Sequence, residues 1–286
     1  MAYLQLMRFP NLFTAAADVV AGYLIVRGLD IKLWELVGLV VATSGIYAGG
    51  CILNDLCDRR VDGRERPSRP IPSGKVSTLE AFLLLCFCFG VGLLSALWVG
   101  NRSLFIALIL TSLAISYDVI TKKRDVIGPL NMAACRSCNL VLGMSPAVSL
   151  VGVFLIFPVI SMVYVFSLTC LSRFEVEGEP ARRSWTVLGG WILVLAAVIA
   201  LTLSGHLRAD GIVFLAVLTL FTGKPLVKGL LSPSPDSIQR AVKALIIGIP
   251  LLDAVYSAGT HGLAFGIPVA ICALPPPIIS RHFYVT

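Results

Sequence analysis

The chain has 286 residues, 57% of them hydrophobic and 14% charged, with a formal net charge of +7 and a mean hydropathy of +0.89. A charged share so far below the roughly 25% of soluble domains excludes a soluble globular protein and describes an integral membrane one. With no soluble basic domain to carry it, a nucleic-acid interface is excluded too, and the excess of cations reads as membrane topology with some attraction for anionic headgroups or a polyphosphate.

A spanning helix needs about 20 largely apolar residues. Ten candidate segments run at 12–27, 34–54, 78–99, 103–118, 126–145, 148–171, 185–204, 209–223, 240–258 and 264–280. Pro268 and Pro275 to Pro277 interrupt the last, so the expectation is an all-α, multi-pass bundle of nine or ten transmembrane helices. The first segment does not read as a cleavable signal peptide, because only Arg8 precedes it, no small-residue cleavage site stands out and a second span follows directly. The longest polar stretches are 55–78 and 232–240, too short for a soluble domain, so residues 1–286 are expected to form one domain.

In segment one, Arg8, Asn11 and Asp18 have gaps of three and seven and read as one helix face. Segment two carries Tyr47, Cys51, Asn54, Asp58 and Asp62 at gaps of four, three, four and four. That spacing stacks the side chains in one stripe. Two carboxylates and an amide on one face suit a hard cation such as Mg2+; a solvated, salt-bridged helix end fits the spacing equally well. Charged groups at membrane depth normally face a protein interior or an aqueous cavity, which favours a pocket lined by this stripe.

The loop after segment two holds Arg59, Arg60, Arg64, Arg66, Arg69 and Lys75; the loop after four holds Lys122, Lys123 and Arg124; the loop after six holds Arg173, Arg182 and Arg183. By the positive-inside rule all three face the cytoplasm, as expected of hairpins around one cavity open to that side. Arg136 and Asn139 lie inside segment five, where an arginine needs a partner or a cavity; an anionic ligand or a buried acid such as Asp18 would serve. Asp253 is embedded in the same way in segment nine. Glu175 and Glu179 repeat the spacing of four after segment six, and either hold a second cation or balance the neighbouring arginines. Cys135 and Cys138 have a zinc-pair gap but no second pair or histidine near them, and the eight cysteines read as small core residues.

Asn54, Asp58 and Asp62, followed by Arg66-Pro67 and Arg69-Pro70-Ile71-Pro72-Ser73-Gly74, resemble the first signature of the UbiA superfamily of intramembrane prenyltransferases. The resemblance implies helices, usually nine, around a central cavity. It also implies Mg2+-dependent transfer of a prenyl group from an isoprenyl diphosphate to a hydrophobic acceptor, often aromatic. Carried over by position, Asn54, Asp58 and Asp62 hold the first metal. Glu175-Val176-Glu177-Gly178-Glu179 stands where the family has a pair of Asp, so Glu175 and Glu179 take the second. Tyr117, Lys122 and Lys123 match the family's Tyr and Lys region, while Arg8 and Asn11 match the polar start of its first helix. Asp58, Asp62, Tyr117 and Lys122 are then the expected catalytic residues, and Arg8, Asn11, Tyr47, Arg66, Lys123, Arg136 and Asn139 the expected substrate contacts. The two Glu replacements leave a non-catalytic binder or carrier of prenylated lipid as the alternative. A CDP-alcohol phosphotransferase is excluded, because Asp62-Gly63 runs on into Arg64-Glu65-Arg66-Pro67 in place of that family's Ala-Arg and later Asp pair.

Overall fold

The computed structural model describes residues 1–146, 153–177 and 184–279, which form helices and turns with no strand among them. A short α1 (Ala2–Leu6) and a 3-10 turn (Phe9–Asn11) lead into α2 (Leu12–Arg27). There follow α3 (Leu33–Glu65), α4 (Thr78–Val99), α5 (Asn101–Ser116), α6 (Ile127–Met144) and α7 (Ile156–Glu177). Then come α8 (Ser184–Leu203), α9 (Asp210–Leu231), α10 (Pro235–His261), α11 (Leu263–Ile271) and α12 (Pro275–Ile279).

Among the described residues, eight helices are long and apolar enough to cross a membrane. The ninth long helix, α6, is less apolar because Asn131, Arg136 and Asn139 lie along it. The expected tenth breaks into α11 and α12 just before Pro275, whereas Pro268 is carried inside α11; a proline lacks the N–H a continuous helix needs and is tolerated in a first turn. Gly262 alone separates α10 from α11, at φ +105°, a conformation that side chains with a Cβ avoid.

Local signals set the other boundaries. In α4, the Ser77 hydroxyl accepts from the Glu80 N–H at 3.2 Å and the Glu80 carboxylate accepts from the Ser77 N–H at 2.7 Å, a reciprocal cap. Ser234 and Ser237 start α10 in the same manner, with Pro235 in its first turn. Helix α3 runs on to Glu65, well past the expected end at residue 54, so the stripe from Tyr47 to Asp62 is helical along its whole length. Helix α10 is the axis of the bundle: 83% of its apolar window is buried, against 17% for α8 on the periphery.

The approach of α2 to α6 decides where the polar residues meet. A Cβ on Gly22 would run into the Leu140 carbonyl, and one on Gly143 into the Val19 carbonyl, so these two backbones are in contact, as small residues allow in membranes. One turn further on, this contact brings Asp18 of α2 against Asn139 and Arg136 of α6. Gly22→Ala is expected to push the two helices apart at a cost of about 1–3 kcal/mol. Thermal unfolding in detergent checks it, and an unchanged melting temperature would contradict the packing described.

Candidate active site

A cavity of about 390 Å3 lies among α2, α3, α5, α6, α7 and α10. Its two sides differ in chemistry. Arg8, Asn11, Thr14, Arg136 and Asn139 make a polar wall, whereas Leu110, Ala114, Val165, Leu168, Ile246 and Ile249 make an apolar one. Helix α3 runs between them and contributes Tyr47, Gly50, Cys51 and Asn54, the helical spacing expected of a lining face. Among the described residues, eleven positions of α3 separate Asn54 from Thr43, the inner lining residue, which at 1.5 Å per residue is a depth of about 16 Å.

At the mouth, the Lys122 ammonium donates to the Asn54 side-chain oxygen at 2.6 Å and also to the Asp58 carboxylate. Lys122 reaches this point because residues 117–121 form a π turn. The Lys122 N–H bonds to the Tyr117 carbonyl at 2.8 Å, so residues five apart share one face where an α-helix would pair residues four apart. Tyr117 and Asp118 line the cavity. From the end of α7, Arg173 donates to the Lys122 carbonyl, and Thr169 and Ser172 join the lining. The part of α7 from Thr169 to Arg173 therefore borders this same mouth.

Asp62 departs from the expected stripe. Its carboxylate accepts from Arg69 at 2.7 Å, and the same guanidinium nitrogen reaches Asp55 at 3.3 Å. Arg8 lies 3.6 Å from Asp55. Asn54 and Asp58 thus face Lys122, while Asp62 and Asp55 hold the Pro-rich loop that begins at Arg66. Among the described residues no three acidic, His or Cys side chains converge as a ready metal cage.

Deeper in the membrane, Arg136 donates to Asp18 at 2.9 Å and to the Thr14 hydroxyl at 2.9 Å. Asn139 donates to Asp18 at 2.9 Å and to the Ala15 carbonyl at 2.8 Å, and its oxygen accepts from Thr43 at 2.6 Å. The Asp253 carboxyl lies within hydrogen-bonding reach of Asp18. Arg136 therefore has a buried acid on one side and a cavity on the other.

Of the expected contacts, Arg8, Asn11, Tyr47, Arg136 and Asn139 share the cavity wall. Arg8, Asn11 and Asp18 do not share a helix, which corrects the single face read from the sequence. Arg8 is left-handed at φ 47° and the 3-10 turn follows it, so the chain enters α2 through a strained joint at the cavity mouth. Two further expectations are not brought together with the cavity: Arg66 stands outside it, half-exposed and 4.0 Å from Asp62, and Lys123 is exposed beyond the mouth. The Glu175 side chain and all of Glu179 lie outside the described residues. The sequence offers no role for Asp118, a carboxylate on the cavity wall, or for Thr14 and Thr43; Asp118 stands at the very end of segment four, and the π turn that aims this stretch at the cavity leaves no mark in the hydrophobic pattern.

A model of the UbiA prenyltransferase family matches residues 15–283. A digeranylgeranylglyceryl phosphate synthase of Sulfurisphaera tokodaii is 30% identical over 65% of this chain and 66% of its own. Its namesake in Sulfolobus acidocaldarius is 32% identical over 62% of each. The chain thus matches less than two thirds of the length of these relatives. Among solved structures, a UbiA homolog of Archaeoglobus fulgidus bound to GPP and Mg2+ superposes with a TM-score of 0.70, covering 95% of this chain and 100% of that one at 15% identity. A structure of a digeranylgeranylglyceryl phosphate synthase gives 0.71 over 91% and 97% at 20% identity. At these identities the structural likeness is one of fold.

Proposed function

This chain belongs to the UbiA prenyltransferase family, and from that premise we propose that it transfers a prenyl group from an isoprenyl diphosphate to a hydrophobic acceptor, with Mg2+ as cofactor. The carrying observation is the convergence of Asn54 and Asp58 on one cationic group, the Lys122 ammonium, at the mouth of a half-apolar cavity. Oxygens already turned toward one positive charge suit a hard divalent ion, which is usually held by one or two carboxylates together with substrate phosphates. Asn54 and Asp58 would hold it, with Glu175 and Glu179 as candidates for a second. When bound, Mg2+ would neutralise diphosphate charge.

The chain's own residues do the rest. Lys122 and Arg8 bind diphosphate oxygens and stabilise the charge that grows on them as the allylic C–O bond breaks, the electron pair leaving with the diphosphate. The apolar wall holds the prenyl tail and keeps water from the allylic cation, and the Tyr47 and Tyr117 rings lend that cation a π face. The acceptor supplies the electron pair for the new bond and gives up a proton, which the Asp118 carboxylate takes. For the acceptor, the polar wall of Arg8, Asn11, Thr14 and Arg136 favours a molecule with an anionic head over a neutral aromatic one. The glyceryl phosphate in the relatives' names is of that chemistry.

A non-catalytic binder is the second reading, favoured by Glu175 and Glu179 standing where the family has Asp. Purified protein given geranylgeranyl diphosphate and a glyceryl phosphate lipid is expected to release diphosphate and form a prenylated lipid only with Mg2+. Mg2+-dependent binding of the diphosphate with no product, across glyceryl phosphate and aromatic acceptors alike, would favour the binder. Glu175→Asp with Glu179→Asp is expected to retain or raise turnover, measured in the same assay; a folded but inactive double variant would remove that pair from the metal site.

A further inference from the structure

A second hollow lies on the opposite flank of α3, lined by Leu53, Leu56, Arg59, Arg60, Leu79 and Phe82, with Cys57 and Thr78 completing it. It has an apolar floor and a cationic rim. Leu79 and Phe82 are exposed on α4, and Arg59 and Arg60 are exposed on the last turns of α3. Of the other cations of this end, Arg66 and Arg69 are committed to Asp62, Arg8 to Asp55 and Lys122 to Asp58, while Arg64, Lys75 and Lys123 are exposed outside the hollow. Neither Arg59 nor Arg60 has an ion-pair partner among the described residues. The hollow sits at the end of α3 where apolar sequence gives way to charge, the depth of lipid headgroups, and paired arginines above an apolar trough complement a phosphate attached to two acyl chains.

We infer that this hollow is a binding site for an anionic phospholipid of the surrounding leaflet, with Arg59 and Arg60 on the headgroup phosphate and Leu53, Leu56, Leu79 and Phe82 along the acyl chains. The site is separate from the prenyl-transfer cavity, although both share α3: Asn54 and Asp58 turn one way, Leu53, Leu56 and Arg60 the other. The bound lipid would brace the helix turn that carries Asn54 and Asp58.

The full chain in detergent, titrated with phosphatidylglycerol or phosphatidylcholine and read by native mass spectrometry, tests this. Wild type is expected to retain one phosphatidylglycerol in preference to phosphatidylcholine, and Arg59→Gln with Arg60→Gln to weaken that retention about twentyfold, with an unchanged melting temperature. Phe82→Gln, which leaves both charges in place, is expected to weaken it as well. Lys243→Gln, elsewhere on the surface, should leave it intact. Inorganic phosphate at millimolar concentration should not displace the lipid; displacement would mean that the arginines take free anion and the apolar trough plays no part. Equal retention of the two lipids by wild type, or unchanged retention in the double variant, would overturn the assignment.

Discussion

Asp58→Ala is expected to lower prenyl transfer on the order of 10²- to 10³-fold, as removal of a group that stabilises developing charge does elsewhere, while leaving the melting temperature close to wild type. The Asp58 side chain is 25% exposed and its partner Lys122 28%, so the freed ammonium can turn to water. Asp62→Ala is expected to behave differently. Its carboxylate is 4% exposed and binds Arg69, itself 14% exposed, and truncation leaves that guanidinium with only the longer contact to Asp55. Loss of a buried hydrogen bond to a charged group costs about 1.5–3 kcal/mol, so Asp62→Ala should lose stability as well as activity. Asp62→Asn, which keeps the shape and one acceptor, should recover part of the stability. Paired measurement of diphosphate release and thermal unfolding separates the two residues. Equal melting temperatures for Asp58→Ala and Asp62→Ala would contradict the assignment of Asp62 to the loop anchor.

The largest effect on stability is expected at Arg136. Its guanidinium holds Asp18 and Thr14, and the side chains of the ion pair are 12% and 4% exposed. Arg136→Met leaves Asp18 buried beside a second carboxyl, Asp253, one of whose oxygens already has no hydrogen-bond partner. Breaking a buried ion pair from one side costs about 3–5 kcal/mol, because the remaining charge keeps its desolvation penalty. Asp18→Asn in the Arg136→Met background is expected to restore most of that loss. Chemical or thermal unfolding of the two single variants and the double variant gives the coupling directly. Additive losses would show that Arg136 and Asp18 do not act as a pair.

Much of this architecture is legible in the sequence for a simple reason. In a bilayer every backbone polar group must be satisfied within its own helix, so long apolar runs map onto helices almost one for one. The stripe from Tyr47 to Asn54 could be read because the helical period fixes which side chains share a face. Two things escaped that logic. The direction of Asp62 depends on Arg69, seven residues further on beyond the helix end, and helical spacing says nothing about where a loop folds back. The register of Tyr117 and Lys122 depends on one π turn, which shifts the facing position by a residue without changing composition. Arg136 and Asn139 stood out as polar residues in an apolar segment. Asp18 could be read as a partner for Arg136, but the contacts to Thr14 and the Ala15 carbonyl emerge only once Gly22 and Gly143 bring the two helices together.

In the proposed reaction Asn54 and Asp58 hold a cation against a diphosphate which Lys122 and Arg8 also bind. The most direct test is an experimental structure of the chain with Mg2+ and an unreactive thio-analogue of an isoprenyl diphosphate. The cation is expected on the Asn54 and Asp58 oxygens, the diphosphate within reach of Lys122 and Arg8, and the prenyl tail along Leu110, Val165 and Ile246. A diphosphate bound away from this mouth, or a cation held without Asp58, would contradict that arrangement.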